Sequence, residues 1–182
     1  NLANDNELII HMNGEYSNTG EGLQRSVDPV DNQVYIYSQG ETAFIRKMYP
    51  CFDQPDLKAT FNLSVIAPNH WQVISNNPVK EKTELSDNKN RWQFTTTPRI
   101  STYITALIAG PYHFVQDKYE GKKVVPLGIY CRKSLAQYLD PDDIFLITKQ
   151  GFAYFEGVFG LEYPFEKYDQ IAVVDFNWGA ME

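Results

Sequence analysis

Sulfur and histidine are scarce in this chain. Two cysteines, Cys51 and Cys131, stand far apart among 182 residues, outside any Cys-x-x-Cys spacing. They point to core thiols in a reducing compartment rather than to a disulfide framework. Three histidines, His11, His70 and His113, share no metal-ligand spacing and read as ordinary surface or turn residues. A basic surplus is also missing: 16 Lys and Arg stand against 23 Asp and Glu, a net charge of −7. That balance argues against a nucleic-acid partner, which selects for basic patches. No stretch approaches the roughly 20 apolar residues that span a bilayer. The opening "NLANDNELII" lacks the basic and apolar regions of a signal peptide. No internal repeat or low-complexity tract appears. A cytoplasmic protein with no membrane partner is expected.

What is present is a core. Hydrophobic residues make up 43% and charged residues 21%, a globular balance. Twelve Tyr, 11 Phe and 3 Trp favour strands and broad packed faces. In "ATFNLSVIAP" Phe61, Leu63 and Val65 alternate with Thr60, Asn62 and Ser64, which predicts a half-buried strand. "NRWQFTTTP" repeats the pattern with Trp92 and Phe94, and "DNQVYIYSQ" is rich in β-branched and aromatic residues. "TYITALIAG" predicts a longer strand that could be buried on both faces. Turn compositions such as "SNNP" and "LSDNKN" separate them. Several short strands with regular turns predict a sandwich or saddle-shaped sheet.

Past "QDKYEGKK" the character changes. After a strand at "VVPLGIYCR", Asp140 as N-cap, Pro141 at the first helical position, acidic Asp142 and Asp143, and a closing Gly160 predict a helix. Ile144, Ile147, Gly151, Phe155 and Val158 recur at helical spacing and predict its inward face. Gly151, costly inside a helix, predicts close packing there. A further strand follows in "KYDQIAVVDF". The expected class is mainly β: a β-saddle or sandwich domain over residues 1–118, then the first strand–helix–strand unit of an α+β domain over 119–182. About 60 residues are short for an independent domain, so a truncated second unit and a fragment are expected.

Three stretches in order then carry a family resemblance. "KMYPCFDQPDLKATFNLSVIAP", preceded by Arg46, resembles the R-x-x-x-P-C-x-D-x-P signature of the M1 zinc aminopeptidases. "STYITALIAGPYHFV" is similar to the strand that ends their N-terminal domain, and "KYDQIAVVDFNWGAME" to the segment entering their G-A-M-E-N exopeptidase motif. "GLQRSVDPVDNQVYIYSQGE" resembles the bacterial, particularly actinobacterial, branch. The resemblance implies that the α+β unit opens a thermolysin-like catalytic domain. It also implies a zinc-dependent aminopeptidase acting on peptides with a free N-terminus. The zinc would belong to the full-length enzyme, on ligands of a downstream H-E-x-x-H motif and a further Glu, and no catalytic residue or metal ligand is expected in this chain.

The site residues implied are those that hold the substrate's α-ammonium. Such a cation is bound by carboxylates and carbonyl oxygens in a partly dehydrated pocket. Glu182 matches the amine-binding glutamate of the motif. Gly179 and Ala180 match main-chain contacts, where small residues let the backbone approach, and Met181 matches a pliable lining residue of the first side-chain pocket. Gln39 and Glu41, in "YSQGETAFIRK", match positions where the N-terminal domain reaches the same pocket. Glu41 stands where the leukotriene A4 hydrolase branch has a neutral Gln, which favours a plain peptidase. Asp53, Pro55 and Asp56 read as a turn and strand entry, Gln54 departs from the family's common Glu, and Arg46 and Lys47 read as exposed or paired. The other reading is a non-catalytic relative whose β domain serves as a protein-binding scaffold. "GAME" counts against it.

Overall fold

The computed structural model describes residue 3 and residues 5–176. A four-stranded antiparallel sheet forms the centre. Its order is β1 (Gly22–Val27), β2 (Val34–Gln39), β7 (Leu107–Gly110) and β4 (Gln72–Ser75). In β2 three consecutive residues, Tyr35, Ile36 and Tyr37, are buried, because both faces of this sheet are covered. The two-sided burial expected of "TYITALIAG" holds over Leu107–Gly110 only; Thr102–Ile104 ahead of it form a 3-10 turn.

One cover is a second antiparallel sheet of β3 (Ser64–Pro68), β6 (Lys89–Phe94) and β5 (Val79–Leu85). Ile36, Val73 and Ala109 pack against Ala67, Trp92 and Phe94 between the two sheets. The predicted alternation is visible in the burial. Phe61, Leu63, Val65 and Ala67 turn inward, whereas Thr60, Asn62, Ser64 and Ile66 are exposed. The edge strand β5 is charged and bulged between Val79 and Glu81, features that discourage edge-to-edge pairing. Lys82 places its ammonium 4.1 Å from the centre of the Trp92 ring.

The other face of the central sheet meets a third sheet and the chain that follows it. Here β8 (His113–Glu120) pairs antiparallel with β9 (Val124–Cys131), and β9 pairs in parallel with β10 (Tyr168–Ile171). A parallel pair needs a crossover, and α1 (Pro141–Phe159) supplies it, so the strand–helix–strand unit is formed. The β8–β9 hairpin spans position 118, where composition suggested a division. Tyr35, Tyr37, Ile74, Ile108 and Tyr112 pack against Tyr130, Ile171, Val173, Val174 and Phe176 across this second interface. The architecture is mainly β, with three sheets and one α-helix among the described residues.

The helix starts and stops where expected. Asp140 occupies the N-cap position, although its carboxylate makes no capping bond, and Gly160 closes the helix at φ 63°. Its inward face differs from the predicted one. Ile147, Phe155 and Val158 are exposed, at 67%, 55% and 59%. Phe145 is the buried helical residue, and Ile144 and Phe152 join it against Val125, Leu127 and Ile129 of β9. Gly151 is not a close-packing site either, since a methyl group there would meet nothing within 4 Å. Both cysteines are free thiols: Cys131 is buried on β9 and Cys51 is half-buried.

Asp28 ties the first sheet to the third. It is fully buried in the turn after β1, where its carboxylate accepts the Val30 amide at 2.9 Å and the Ser134 hydroxyl, and pairs with Arg132 at 3.2 Å. Ser134 and Arg132 lie in the connection between β9 and α1. The Ser134 hydrogen bond, then the Val30 amide, hold the Asp28 pKa below its ordinary value.

Candidate functional site

A cleft of about 710 Å³ opens between the central sheet and the chain after α1. Ligand pockets fall in this size range. The sheet side contributes Tyr37, Ser38, Gly40, Asn76 and Tyr103; the far side contributes Tyr163, Lys167, Asp169, Val173 and Phe176. Lys167 and Asp169 form a largely buried ion pair in the far wall. Burial pushes the Tyr163 phenol up to about 12. Asn76 closes the near end by accepting the Ala106 amide at 2.7 Å and donating to the Ile104 carbonyl at 2.7 Å.

Gln39 ends β2 beside this cleft, between two lining residues, and its side chain is 1% exposed. Neither its amide nitrogen nor its amide oxygen has a hydrogen-bond partner among the described residues. A buried primary amide with nothing to bond is costly, and native proteins keep few of them. Glu41 follows in a turn, half-buried, with no hydrogen bond or ion pair among the described residues. The backbone around the two is held on several sides. Phe44 donates its amide to the Gly40 carbonyl at 3.1 Å, and Ile45 below is fully buried. Gly40 approaches the Tyr103 carbonyl and the Ile45 side chain so closely that a methyl group would meet both.

Asp53, read from the sequence as structural, is a latch for this turn. Its carboxylate accepts the Arg46 amide at 3.1 Å and the Thr102 hydroxyl at 3.1 Å, joining the two 3-10 turns on either side of the site. Arg46 and Lys47 are exposed, and Lys47 pairs with Glu21. Gly179, Ala180, Met181 and Glu182 lie outside the described residues. The chain that leads to them is described as far as Phe176, which lines the cleft. Among the described residues no group of three or more His, Cys, Asp or Glu side chains gathers as a metal site. No described helix is long and apolar enough to cross a membrane.

Two features of the site escaped the sequence reading. One is the close approach at Gly40, whose only signal was a glycine set between two candidate polar residues. The other is Tyr37, two residues before Gln39, whose hydroxyl donates to the Val174 carbonyl and lies 3.3 Å from that of Asp175. Its alternation with Gln39 along β2 was legible, but its distant partner was not.

Residues 2–104 match the Peptidase M1 N-terminal domain. Over its full length the chain is 53% identical to the aminopeptidase N of Streptomyces lividans, covering 21% of that protein. It is 33% identical over 180 residues to the aminopeptidase N of Rattus norvegicus, 97% of this chain and 18% of the relative. The glutamyl aminopeptidase of Rattus norvegicus gives 33% over 180 residues, 96% of this chain and 18% of the relative. The chain thus spans about a fifth of the length of these relatives. With its β architecture and the match over residues 2–104, the chain belongs to the peptidase M1 family.

Proposed function

We propose that the whole protein is a cytoplasmic, zinc-dependent aminopeptidase that removes N-terminal residues from peptides with a free amine. In this reading, residues 1–118 are its β-rich N-terminal domain and residues 119–182 open its catalytic domain. This chain supplies recognition of the substrate amine, through Gln39, Glu41, Glu182 and the small backbone of Gly179 and Ala180, with Met181 lining the first side-chain pocket. Nucleic acid and membrane are not partners in this reading.

The observation that carries it is Gln39, buried beside a cleft with both amide atoms unpartnered. An amide in that state is organised for a ligand that brings its own donors and acceptors. A peptide amine and the carbonyl after it do so. Glu41, two residues on and unpaired among the described residues, adds the negative charge that an ammonium needs. In a partly dehydrated cleft that attraction is far stronger than in water. The described residues offer no set of zinc ligands, so in this reading the metal is held elsewhere in the protein. When bound, zinc supplies polarisation of the scissile carbonyl and activation of water.

The test is substrate discrimination in the full-length enzyme. An N-acetylated peptide lacks the cation and would leave the carboxylates buried and unpaired, so the wild type should strongly prefer the free amine. Glu182→Ala should lower kcat/KM for the free-amine substrate by several kcal/mol at most while the acetylated substrate loses much less, so the ratio narrows. Glu41→Gln should cost about 1–3 kcal/mol, the range for a charge-assisted hydrogen bond. A wild type that cleaves both substrates equally well would end this reading.

A further inference from the structure

Most of the helix face that the sequence marks as inward is bare. Ile147, Gly151, Phe155 and Phe159 follow one another at four-residue steps and form one ridge of α1. Tyr154 and Val158 lie in the row beside it, and no charged side chain stands among the six. Apart from the glycine, each is more than half exposed. The aromatic rings pack on one another instead: Phe155 stacks on Phe159 at 5.9 Å, and Tyr154 meets Phe155 edge-on at 5.3 Å. Gly151 leaves a notch in the middle of the ridge, where an added methyl group would meet nothing within 4 Å. A glycine in a helix interior costs stability relative to alanine, and no contact among the described residues offsets that cost. The opposite face of α1 is already engaged with β9, through Phe145 and Phe152.

We propose that this face is an internal interface of the whole protein. A helix of the same polypeptide, from outside residues 1–182, lays its apolar stripe along the ridge and into the notch at Gly151. Size favours an occupant from the same chain. Three largely bare aromatic side chains of about 150–250 Å² each, with Ile147 and Val158, expose on the order of 500 Å². Apolar patches of that size mark interaction sites. An interface between domains of one chain buries roughly 600–1,500 Å² in all, about half on each side, and this face supplies such a half. A separate protein or a second copy needs about 800 Å² from each side to offset its lost freedom, and the stripe falls short of that. A tethered segment does not bear the same association cost. Length supplies the candidate: the chain covers 21% and 18% of two aminopeptidase N relatives, so most of such a protein lies outside it. Shape favours a helix, because a four-residue ridge with a gap receives the ridge of another helix, with axes about 8–10 Å apart. The inference rests on reading this chain as part of a longer enzyme and does not depend on the amine site.

Helix propensity gives the test a sign. Lys and Ala both favour a helix more than Ile or Val do, so on a bare face either substitution should hold or raise Tm. In the full-length enzyme, Ile147→Lys with Val158→Lys should instead lower Tm by about 5 °C or more, because two charges enter an apolar contact. Ile147→Ala with Val158→Ala should lower it by roughly 2–5 °C, and this milder pair decides the matter if the lysine pair fails to fold. Molar mass from sedimentation should be the same for wild type and variants. If both pairs match or exceed the wild-type Tm, the face is bare in the whole protein and the proposal fails. It fails equally if the variants have a smaller mass than wild type, since the face then serves a second copy. Wild-type discrimination between free and N-acetylated substrates tests the proposed activity and is independent of these shifts, so either reading can fall alone.

Discussion

Adding one methyl group between Gln39 and Glu41 should disable the proposed amine site from within. A Cβ at residue 40 would lie 2.5 Å from the Tyr103 carbonyl oxygen and 3.0 Å from both Cβ and Cδ1 of Ile45. The first contact is about 1 Å inside an ordinary van der Waals separation. Neither neighbour can easily give way: one is backbone, and the other is a fully buried branched side chain. Overpacking of this kind costs about 1–3 kcal/mol. For a chain of this size each 1 kcal/mol lowers Tm by roughly 2–4 °C. Gly40→Ala should therefore lower the Tm of the 182-residue chain measurably. In the full-length enzyme it should also reduce kcat/KM for free-amine substrates by up to about 100-fold, since Gln39 and Glu41 are the residues displaced. Gly151→Ala is the matched control. The same methyl at that position meets nothing within 4 Å in a helix interior, so it should raise stability by roughly 0.5–1 kcal/mol. Should Gly40→Ala keep both Tm and kcat/KM, the turn is not packed as described and the placement of Glu41 is wrong.

Gln39→Met removes the unpartnered amide at nearly constant volume. Stability should hold or rise by up to about 1–3 kcal/mol while free-amine kcat/KM falls; loss of stability with unchanged kinetics would make Gln39 an ordinary core amide. The Asp28 carboxylate, held below its ordinary pKa mainly by Ser134, contributes stability that is present above its unfolded value and lost as pH falls through its folded value. Asp28→Asn should therefore destabilise the chain at neutral pH and flatten the fall of Tm below about pH 4, read from melting curves across that range. A variant whose acid limb matches wild type would show that Asp28 does not link the sheets through its charge.

The strands were legible because each had one rule to obey. Period-2 alternation placed Phe61, Leu63 and Val65 inward and Thr60, Asn62 and Ser64 outward with no competing pattern. Trp92 and Phe94 followed the same rule and are buried at 6% and 2%. The strand at "TYITALIAG" was overestimated because Thr102 and Ser101 have partners outside the ladder. Thr102 bonds the Asp53 carboxylate and Ser101 the Pro55 carbonyl, so the chain turns before it extends. Those partners are about 50 residues away in sequence, beyond any local pattern.

The helix shows why periodicity alone could not choose a face, and the same reason governs the site. Apolar residues run almost all round α1, so Ile147, Phe155 and Val158 satisfy the helical spacing with Ile144 as well as the true face does. Polar residues decide between them. Lys149 reaches Asp117 at 2.5 Å, Glu156 accepts from Tyr119 at 3.0 Å, and Thr148 accepts from Gln170 at 2.9 Å. These three lie on the side of Phe145 and Phe152, where the Phe152 ring stacks on Tyr119 at 5.0 Å. A polar group entering a packed interface must find a partner, whereas an apolar one needs only cover, so the polar groups set the orientation. Gln39 obeys the same rule with the opposite result. Everything around it is placed by hydrogen bonds and close contacts, yet its own amide has no partner among the described residues. The fold therefore specifies where that amide sits without satisfying it, and that gap, rather than any local sequence pattern, is the observation on which the proposed amine site rests.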